Sequence, residues 1–124
     1  MSDEMTTVTL PPPAPDQAYL DVSALEAGNI SLPIDKLVAD TEPETVSCPS
    51  LAFSLRHSKM GYQIVFDLGM RRDFEQYPPV AQRLVRSFGC SSTVTQTVAE
   101  SLEKGGVSPN EVDAVIVSHL HWDQ

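Results

Sequence analysis

The clearest hydrophobic pattern along the chain is a pair of strict alternations. Large apolar residues occupy every second position from Leu51 to Leu55, and again from Tyr62 to Leu68. Because side chains at i and i+2 of a strand lie on the same face, each run predicts a strand with one apolar face. The intervening segment 57–61 is short and polar enough to reverse the chain, so the two runs together predict a β-hairpin.

The segment before this hairpin has a weaker pattern. Between Tyr19 and Val38 the alternation is irregular, and Gly28-Asn29 is a turn signal. This combination predicts either a short pair of strands or an irregular segment.

A first short helix is predicted after the hairpin. Pro78-Pro79 opens a segment in which Val80, Leu84 and Phe88 recur every four residues, and Gly89 follows directly. Proline is favoured at the first position of a helix and glycine just beyond its end, so the helix is expected between these two signals.

A second helix is predicted to begin near Ser92 or Thr93 and to end at Gly105-Gly106. Its apolar stripe consists of Val94, Val98 and Leu102, with Ala99 beside it. A stripe of this kind needs an apolar surface to cover it, so we expect the helix to lie against a sheet.

The chain then contains a single helical turn and a strand. Ser108-Pro109-Asn110-Glu111 combines an N-cap hydroxyl, a proline at the first helical position and a glutamate that can complete a capping box. The following segment 112–117 is almost continuously apolar, which is typical of a strand that is covered on both faces. Hairpin, helices and buried strand together predict an α/β layer structure.

Length and composition restrict the class of protein. A chain of 124 residues with 41% hydrophobic and 20% charged residues can form one modest domain with a core. Acidic residues outnumber basic ones 17 to 8, for a net charge of −9, so nucleic acid and anionic membranes are not expected partners. The sequence has neither a membrane-length apolar run nor the pattern of a signal peptide, and we expect a cytoplasmic protein.

The acidic charge is concentrated at the beginning of the chain. Residues 1–45 contain nine acidic residues and one lysine, and four prolines lie between positions 11 and 15. Closely spaced prolines favour extended geometry and lack backbone donors. We therefore predict a disordered tail over residues 1–17 and a folded domain over residues 18–124.

Two cysteines, Cys48 and Cys90, are widely separated in the sequence and neither belongs to a C-x-x-C pair. In a reducing compartment they are expected to be free structural thiols.

The candidate chemistry follows the last predicted strand. Residues 118–124 contain two of the three histidines and a carboxylate, His119, His121 and Asp123, at alternate positions. Alternate side chains of an extended segment point the same way, so both imidazoles can reach one metal ion and Asp123 continues that side. Zinc suits this donor set best, with iron or manganese as alternatives.

The sequence of residues 105–123 resembles the helix, strand and His-x-His-x-Asp loop of the metallo-β-lactamase superfamily. The motif Ser-His-Leu-His-Trp-Asp at residues 118–123, together with Val-Phe-Asp-Leu-Gly at residues 65–69, is most similar to the motifs of the acyl-homoserine lactonase-like hydrolases and of their fungal relatives that open lactones and lactams. The resemblance covers roughly residues 46–124. It implies that the chain forms the first half of an αββα sandwich.

The resemblance also implies roles for individual residues. His119 and His121 would bind the first metal ion, and Asp123 would be a catalytic residue and a ligand of the second. Asp67 would support these ligands through hydrogen bonds. A metal-bound hydroxide would then attack the carbonyl carbon of a lactone, lactam or related ester or thioester.

The sequence departs from this family pattern in two respects. Gln124 replaces a histidine, and its neutral amide is a weaker ligand, so one or two zinc ions are expected and the second site would be impaired. The full sandwich is also built from two halves and needs about twice this length. The alternative hypothesis is therefore a truncated, non-catalytic remnant or interaction module of the same fold, whose incomplete sheet would favour self-association.

Overall fold

The structure, a computed structural model, describes residues 9–123. It contains a five-stranded mixed sheet and two short helices. The strands are β1 (Leu20–Pro33), β2 (Thr45–His57), β3 (Gln63–Phe66), β4 (Ser91–Thr93) and β5 (Ala114–Ile116), and the helices are α1 (Pro79–Ser87) and α2 (Val98–Lys104). Single 3-10 turns lie at Ile34–Lys36, Phe74–Gln76 and Pro109–Glu111. The predicted α/β class is confirmed.

The sheet has the order β4-β1-β2-β3-β5. The predicted hairpin is confirmed, because β2 pairs antiparallel with β3 across a turn that ends at Gly61. Strand β5 joins the other side of β3 in parallel, after the chain has passed through α1, β4 and α2. This parallel pair places the segments that follow β3 and β5 at the same edge of the sheet.

The turn predicted at Gly28-Asn29 is absent from the structure. Strand β1 runs through this position and pairs with β2 on both sides, with a shift of register between Glu26 and Asn29. The extra residue forms a β-bulge, and Gly28 accommodates it with a φ of +93°. The dipeptide was therefore a bulge signal, because the long partner strand β2 holds the chain in the sheet.

Both helices are confirmed, with one change of boundary. Helix α1 begins at Pro79 as predicted, although its Val80 and Leu84 are exposed. Helix α2 begins at Val98, because residues 91–93 form strand β4 against β1. The N-cap of α2 is Thr97, which forms a reciprocal capping box with the side chain of its third residue.

The core lies between α2 and one face of the sheet. It consists of Ala27, Ala52, Val65, Val98 and Leu102. Val98 and Leu102 of the predicted stripe therefore do lie against the sheet, whereas Val94 precedes the helix and Ala99 is exposed. The larger residues of the β2 alternation share the opposite face, where Leu51 is 60% exposed and Phe53 is half-buried. The helix thus packs on the face of the sheet that carries the small residues Ala27 of β1 and Ala52 of β2, and the large residues of β2 form a separate apolar face.

The prediction that β5 is covered on both faces was wrong. Val115 and Ile116 are each 46% exposed, and the adjacent Val117 is 42% exposed. Strand β5 lies at the edge of the sheet beside β3. An apolar run can fill a buried strand, but burial requires a neighbouring element, and within residues 9–123 the sheet ends at β5.

Other predictions have mixed outcomes. Cys48 and Cys90 are free thiols, as expected. Of the predicted disordered tail, residues 1–8 lie outside the described residues, and residues 9–17 are exposed, with Asp16 paired to Lys59. No helix within the described residues has the length and apolar character to cross a membrane. The domain boundaries and the cytoplasmic location stay predictions.

Candidate functional site

The candidate site lies beside the carboxyl ends of the parallel strands β3 and β5. Asp67 follows β3 directly, and its backbone N–H donates to the carbonyl of Ile116 at 2.8 Å. Asp67 adopts a φ of +59°, a left-handed conformation that aspartate tolerates better than most residues, and it is only 5% exposed. The parallel pairing of the strands therefore fixes this carboxylate beside the segment that follows β5.

The carboxylate of Asp67 holds the beginning of the histidine loop. One of its oxygens, Oδ1, accepts the backbone N–H of Ser118 at 2.7 Å, and the other, Oδ2, accepts the Ser118 hydroxyl at 2.8 Å. The same hydroxyl oxygen lies 2.9 Å from Nδ1 of His119. Asp67 is thus linked to the first histidine through Ser118, and its supporting role stays a prediction.

The two histidines of the predicted motif meet. Nε2 of His119 lies 3.0 Å from Nδ1 of His121, with the ring centroids 4.5 Å apart and the ring planes at 76°. Two nitrogens that bind one tetrahedral zinc ion at roughly 2.0–2.1 Å lie about 3.3 Å apart. The observed separation is within a few tenths of an ångström of that spacing, and both rings are exposed.

Asp123 is held near the same loop by its backbone. The hydroxyl of the buried Ser50, on β2, donates to the Asp123 carbonyl oxygen at 2.8 Å. Asp123 also lines a cavity of about 370 Å³ together with Asp67, Ser118 and His119. The cavity continues onto the apolar face of the sheet, where its walls are Leu51, Phe53 and Phe66.

Across residues 9–123, no three or more His, Cys, Asp or Glu side chains are grouped so that they could hold a metal ion. The described residues therefore fit a metal as a pair of imidazole ligands and not as a complete site. The structure brings His119 and His121 together, while the roles of Asp123 as a ligand and as a catalytic residue stay predictions. Gln124 lies outside the described residues.

An aromatic cluster supports the histidine loop from the other side. The ring of Trp122 lies 5.9 Å from the rings of Phe74 and Tyr77, and both pairs are close to perpendicular. Edge-to-face packing of this kind is favourable for aromatic rings. Arg86 of α1 lies over Phe74 at 5.4 Å from the ring centroid. Trp122 therefore ties the loop to the segment that leads into α1.

An ion pair fixes the loop after β3 to the start of α2. Both terminal nitrogens of the Arg72 guanidinium donate to the Glu100 carboxylate, at 2.9 and 2.5 Å. This hydrogen bonding, with a further bond from the backbone of Thr97, lowers the pKa of Glu100 to about 2. The same contact raises the pKa of Arg72. The pair is exposed and lies outside the candidate site.

A larger cavity, of about 520 Å³, lies on the helix side of the sheet. Its walls include Val65, Met70 and Leu102, and none of the predicted site residues lines it. We therefore place the candidate site at the smaller cavity, which Asp67, Ser118, His119 and Asp123 line.

Sequence reasoning missed two residues of this site. Ser118 was read only as part of the motif, although its position directly before the first histidine was a signal. Ser50 gave no signal, because its contact with Asp123 joins positions 73 residues apart. Only the folded sheet shows that β2 reaches the histidine loop.

The chain is similar to fungal hydrolases. It is 32% identical over 133 residues to gamma-lactamase FDB1 of Fusarium pseudograminearum (strain CS3096), covering 96% of this chain and 32% of that protein. It is 31% identical over 133 residues to metallo-hydrolase mfmC of Annulohypoxylon moriforme, covering 94% of this chain and 33% of that protein. No protein-family model matches the chain.

A solved structure shows the fold. An N-acyl homoserine lactone hydrolase with the product N-hexanoyl-L-homoserine bound at its catalytic metal center superposes with a TM-score of 0.59 at 20% identity, over 83% of this chain and 42% of that one. The chain has part of the metallo-β-lactamase fold. Its relatives are lactonases and gamma-lactamases of that fold, which confirms the resemblance predicted from residues 105–123.

This metallo-β-lactamase-fold chain spans about a third of the length of the curated relatives that it matches. The sheet, the two helices and the histidine loop are the part of the fold described here. The mixed five-stranded sheet and its exposed β5 edge correspond to a partial domain.

Proposed function

We propose that the chain carries the metal-ligand loop of a metal-dependent hydrolase that opens a lactone, a lactam or a related ester or thioester. The observation that carries this proposal is the 3.0 Å distance between His119 Nε2 and His121 Nδ1. His119 lines the cavity that lies at the carboxyl ends of β3 and β5. The relatives support it, since they include a gamma-lactamase, a metallo-hydrolase and an N-acyl homoserine lactone hydrolase.

In this proposal the chain's own residues have distinct tasks. His119 and His121 would hold the metal, and Asp67 would keep the first of them in place through Ser118. The walls formed by Leu51, Phe53 and Phe66 would exclude water from the apolar side of a small ring. A bound metal of this kind lowers the pKa of water and polarises a carbonyl oxygen.

Zinc titration of the chelator-treated chain by isothermal calorimetry tests the proposal. We expect about one equivalent of zinc to bind, and His119→Ala and His121→Ala to abolish binding. His57→Ala is the matched control, because His57 is the third histidine and its Nδ1 accepts backbone N–H groups in the hairpin turn. A wild-type chain that takes up no zinc, or a His57 variant that loses it equally, would overturn the proposal.

Hydrolysis is measured separately, with γ-butyrolactone and γ-butyrolactam as probes and chromatography of the ring-opened acids. We expect slow opening with zinc that is lost in His119→Ala. Opening that persists in this variant would contradict the assigned role of the loop.

A second candidate function is a non-catalytic interaction module, and a specific observation favours it. The apolar face of the sheet carries the exposed Leu51, and the edge strand β5 carries the exposed Val115 and Ile116. Apolar surface beside an open strand edge favours association. Sedimentation velocity distinguishes the two: a monomer with one tight zinc site argues against the module, and a zinc-free oligomer argues for it.

A further inference from the structure

The proline-rich segment that precedes β1 is exposed along its whole length. Leu10 is followed by prolines at positions 11, 12, 13 and 15, and residues 9–17 are all exposed to solvent. Leu10 itself is 83% exposed. A large apolar side chain beside four exposed proline rings makes an apolar surface that no other part of the described chain covers.

The conformation of this segment follows from its prolines. A proline fixes its own φ at about −65° and drives the residue before it into extended geometry. From Leu10 to Pro15, every residue is a proline or directly precedes one. We therefore expect a polyproline II helix that extends about 16 Å, at roughly 3.1 Å per residue. Because this geometry exists before any partner binds, docking of the segment costs little conformational entropy.

The side chains of such a helix form three ridges. Polyproline II has three residues per turn, so side chains three positions apart share one ridge. A groove in a partner can contact two ridges of this triangular cross-section and leaves the third in solvent. The ridge with the least apolar area contains the single alanine, so we expect that ridge to stay exposed. The pairs that share a ridge are Leu10 with Pro13, Pro12 with Pro15, and Pro11 with Ala14.

The segment is anchored to the turn of the β2–β3 hairpin. The ammonium group of Lys59 pairs with the Asp16 carboxylate at 2.6 Å and also donates to the Asp16 carbonyl oxygen. The backbone N–H of Tyr19 donates to the Ser58 hydroxyl oxygen at 2.9 Å, and the N–H of Ser58 donates to the Tyr19 carbonyl oxygen at 2.9 Å. These contacts hold the base of the polyproline segment at one place on the molecule.

This anchor lies at the end of β3 that is remote from the candidate site. The hairpin turn precedes Gln63, the first residue of β3, whereas Asp67 follows the last residue of that strand. Four residue steps of about 3.3 Å separate the two ends by roughly 13 Å. A partner bound to the polyproline segment can therefore leave the histidine loop open, and its binding does not depend on the proposed function.

Charge restricts the kind of partner. Residues 1–18 contain three carboxylates, Asp3, Glu4 and Asp16, and neither lysine nor arginine. A groove with an acidic rim would repel this segment, and one with a basic rim would attract it. We propose that residues 10–15 dock into another protein, in a groove lined by aromatic side chains with a basic rim, as an EVH1 domain can provide.

Isothermal calorimetry of the whole chain against an EVH1 domain with a basic rim tests this proposal. We expect binding that is weakened about tenfold or more in Pro12→Ala and in Leu10→Ala, because each variant removes apolar area from a ridge in the groove. Pro11→Ala is the matched control, since it makes the same change at the next position but on the exposed ridge. It should weaken binding less than about threefold.

An SH3 domain with an acidic rim is the contrasting probe, and we expect it to bind more weakly than the EVH1 domain. Added salt should weaken binding to the basic rim by screening the opposite charges. No binding to the EVH1 domain, a preference for the SH3 domain, or equal losses in Pro11→Ala and Pro12→Ala would overturn the proposal. Thermal unfolding by circular dichroism should be the same in all these variants, because the substituted side chains are exposed, so lost binding is not lost folding.

Discussion

Replacing Gly69 with alanine should strongly destabilise the fold and displace the loop that holds Asp67. Gly69 has a φ of +65°, and a Cβ there would lie 2.4 Å from the Cβ of Ala27 and 2.6 Å from its carbonyl oxygen. That oxygen accepts the N–H of Met70 at 2.9 Å. Ala27 belongs to the core and is 2% exposed, so it cannot move away easily.

The magnitude follows from three contributions. A non-glycine residue in the left-handed region costs about 1–2 kcal/mol. Overpacking against the core costs about 1–3 kcal/mol more, and a lost backbone hydrogen bond costs about 0.5–1.5 kcal/mol. We therefore expect Gly69→Ala to lower the free energy of unfolding by about 2.5–6.5 kcal/mol, a large share of the roughly 5–15 kcal/mol typical of a domain.

Gly61 offers a matched control for this substitution. Its φ is +68°, and a Cβ there would meet nothing within 4 Å. Gly61→Ala should therefore incur only the conformational contribution, about 1–2 kcal/mol. Urea unfolding followed by circular dichroism measures both variants, and Trp122, the single tryptophan, reports on the histidine loop by fluorescence. Equal destabilisation of the two variants would refute the steric argument.

Three further predictions concern charge, core and loop. The pKa of Glu100 is lowered from 4.5 to about 2 by its bond from Arg72, so its stabilising contribution is present above pH 4.5 and is lost as the pH falls toward 2. Glu100→Gln should show a smaller loss of melting temperature than the wild type between pH 6 and pH 3, and an identical loss would contradict the assignment. Val65→Ala removes two buried methyl groups and should cost about 2 kcal/mol in chemical denaturation. Val115 pairs with Val65 across the sheet but is half-exposed, so Val115→Ala should lower the free energy of unfolding by less than half as much. An equal loss in the two variants would be inconsistent with their difference in burial. Trp122→Leu removes two perpendicular ring contacts of about 0.5–1.5 kcal/mol each and should accelerate amide hydrogen exchange in residues 118–123, whereas unchanged exchange would show that the cluster does not hold the loop.

Local signals in the sequence were sufficient for the elements whose boundaries depend on nearby residues. Helix α1 begins at the proline that predicted it, and the single turn after Ser108 has the capping box that its sequence indicated. The β2–β3 hairpin formed because two alternating runs are joined by a short polar turn. In each case the interactions that define the element span only a few positions.

Predictions failed where a distant strand decided the outcome. Residues 91–93 can begin a helix by local propensity, but pairing with β1 draws them into the sheet. Gly28-Asn29 can form a turn, but pairing on both sides of it converts the signal into a bulge. The exposure of Val115 likewise depends on whether another element packs against β5 in the folded structure, and not on the apolar character of the strand itself.

The sequence by itself determined the chemistry of the candidate site, because His119 and His121 are two positions apart and any extended or gently bent segment brings them close. Only the tertiary structure decided which distant residues contact the histidine loop. Asp67 reaches Ser118 across 51 positions, and Ser50 reaches Asp123 across 73. Hydrogen bonds between such distant positions form only after β2, β3 and β5 have paired, because strand register is what brings the donors and acceptors within reach.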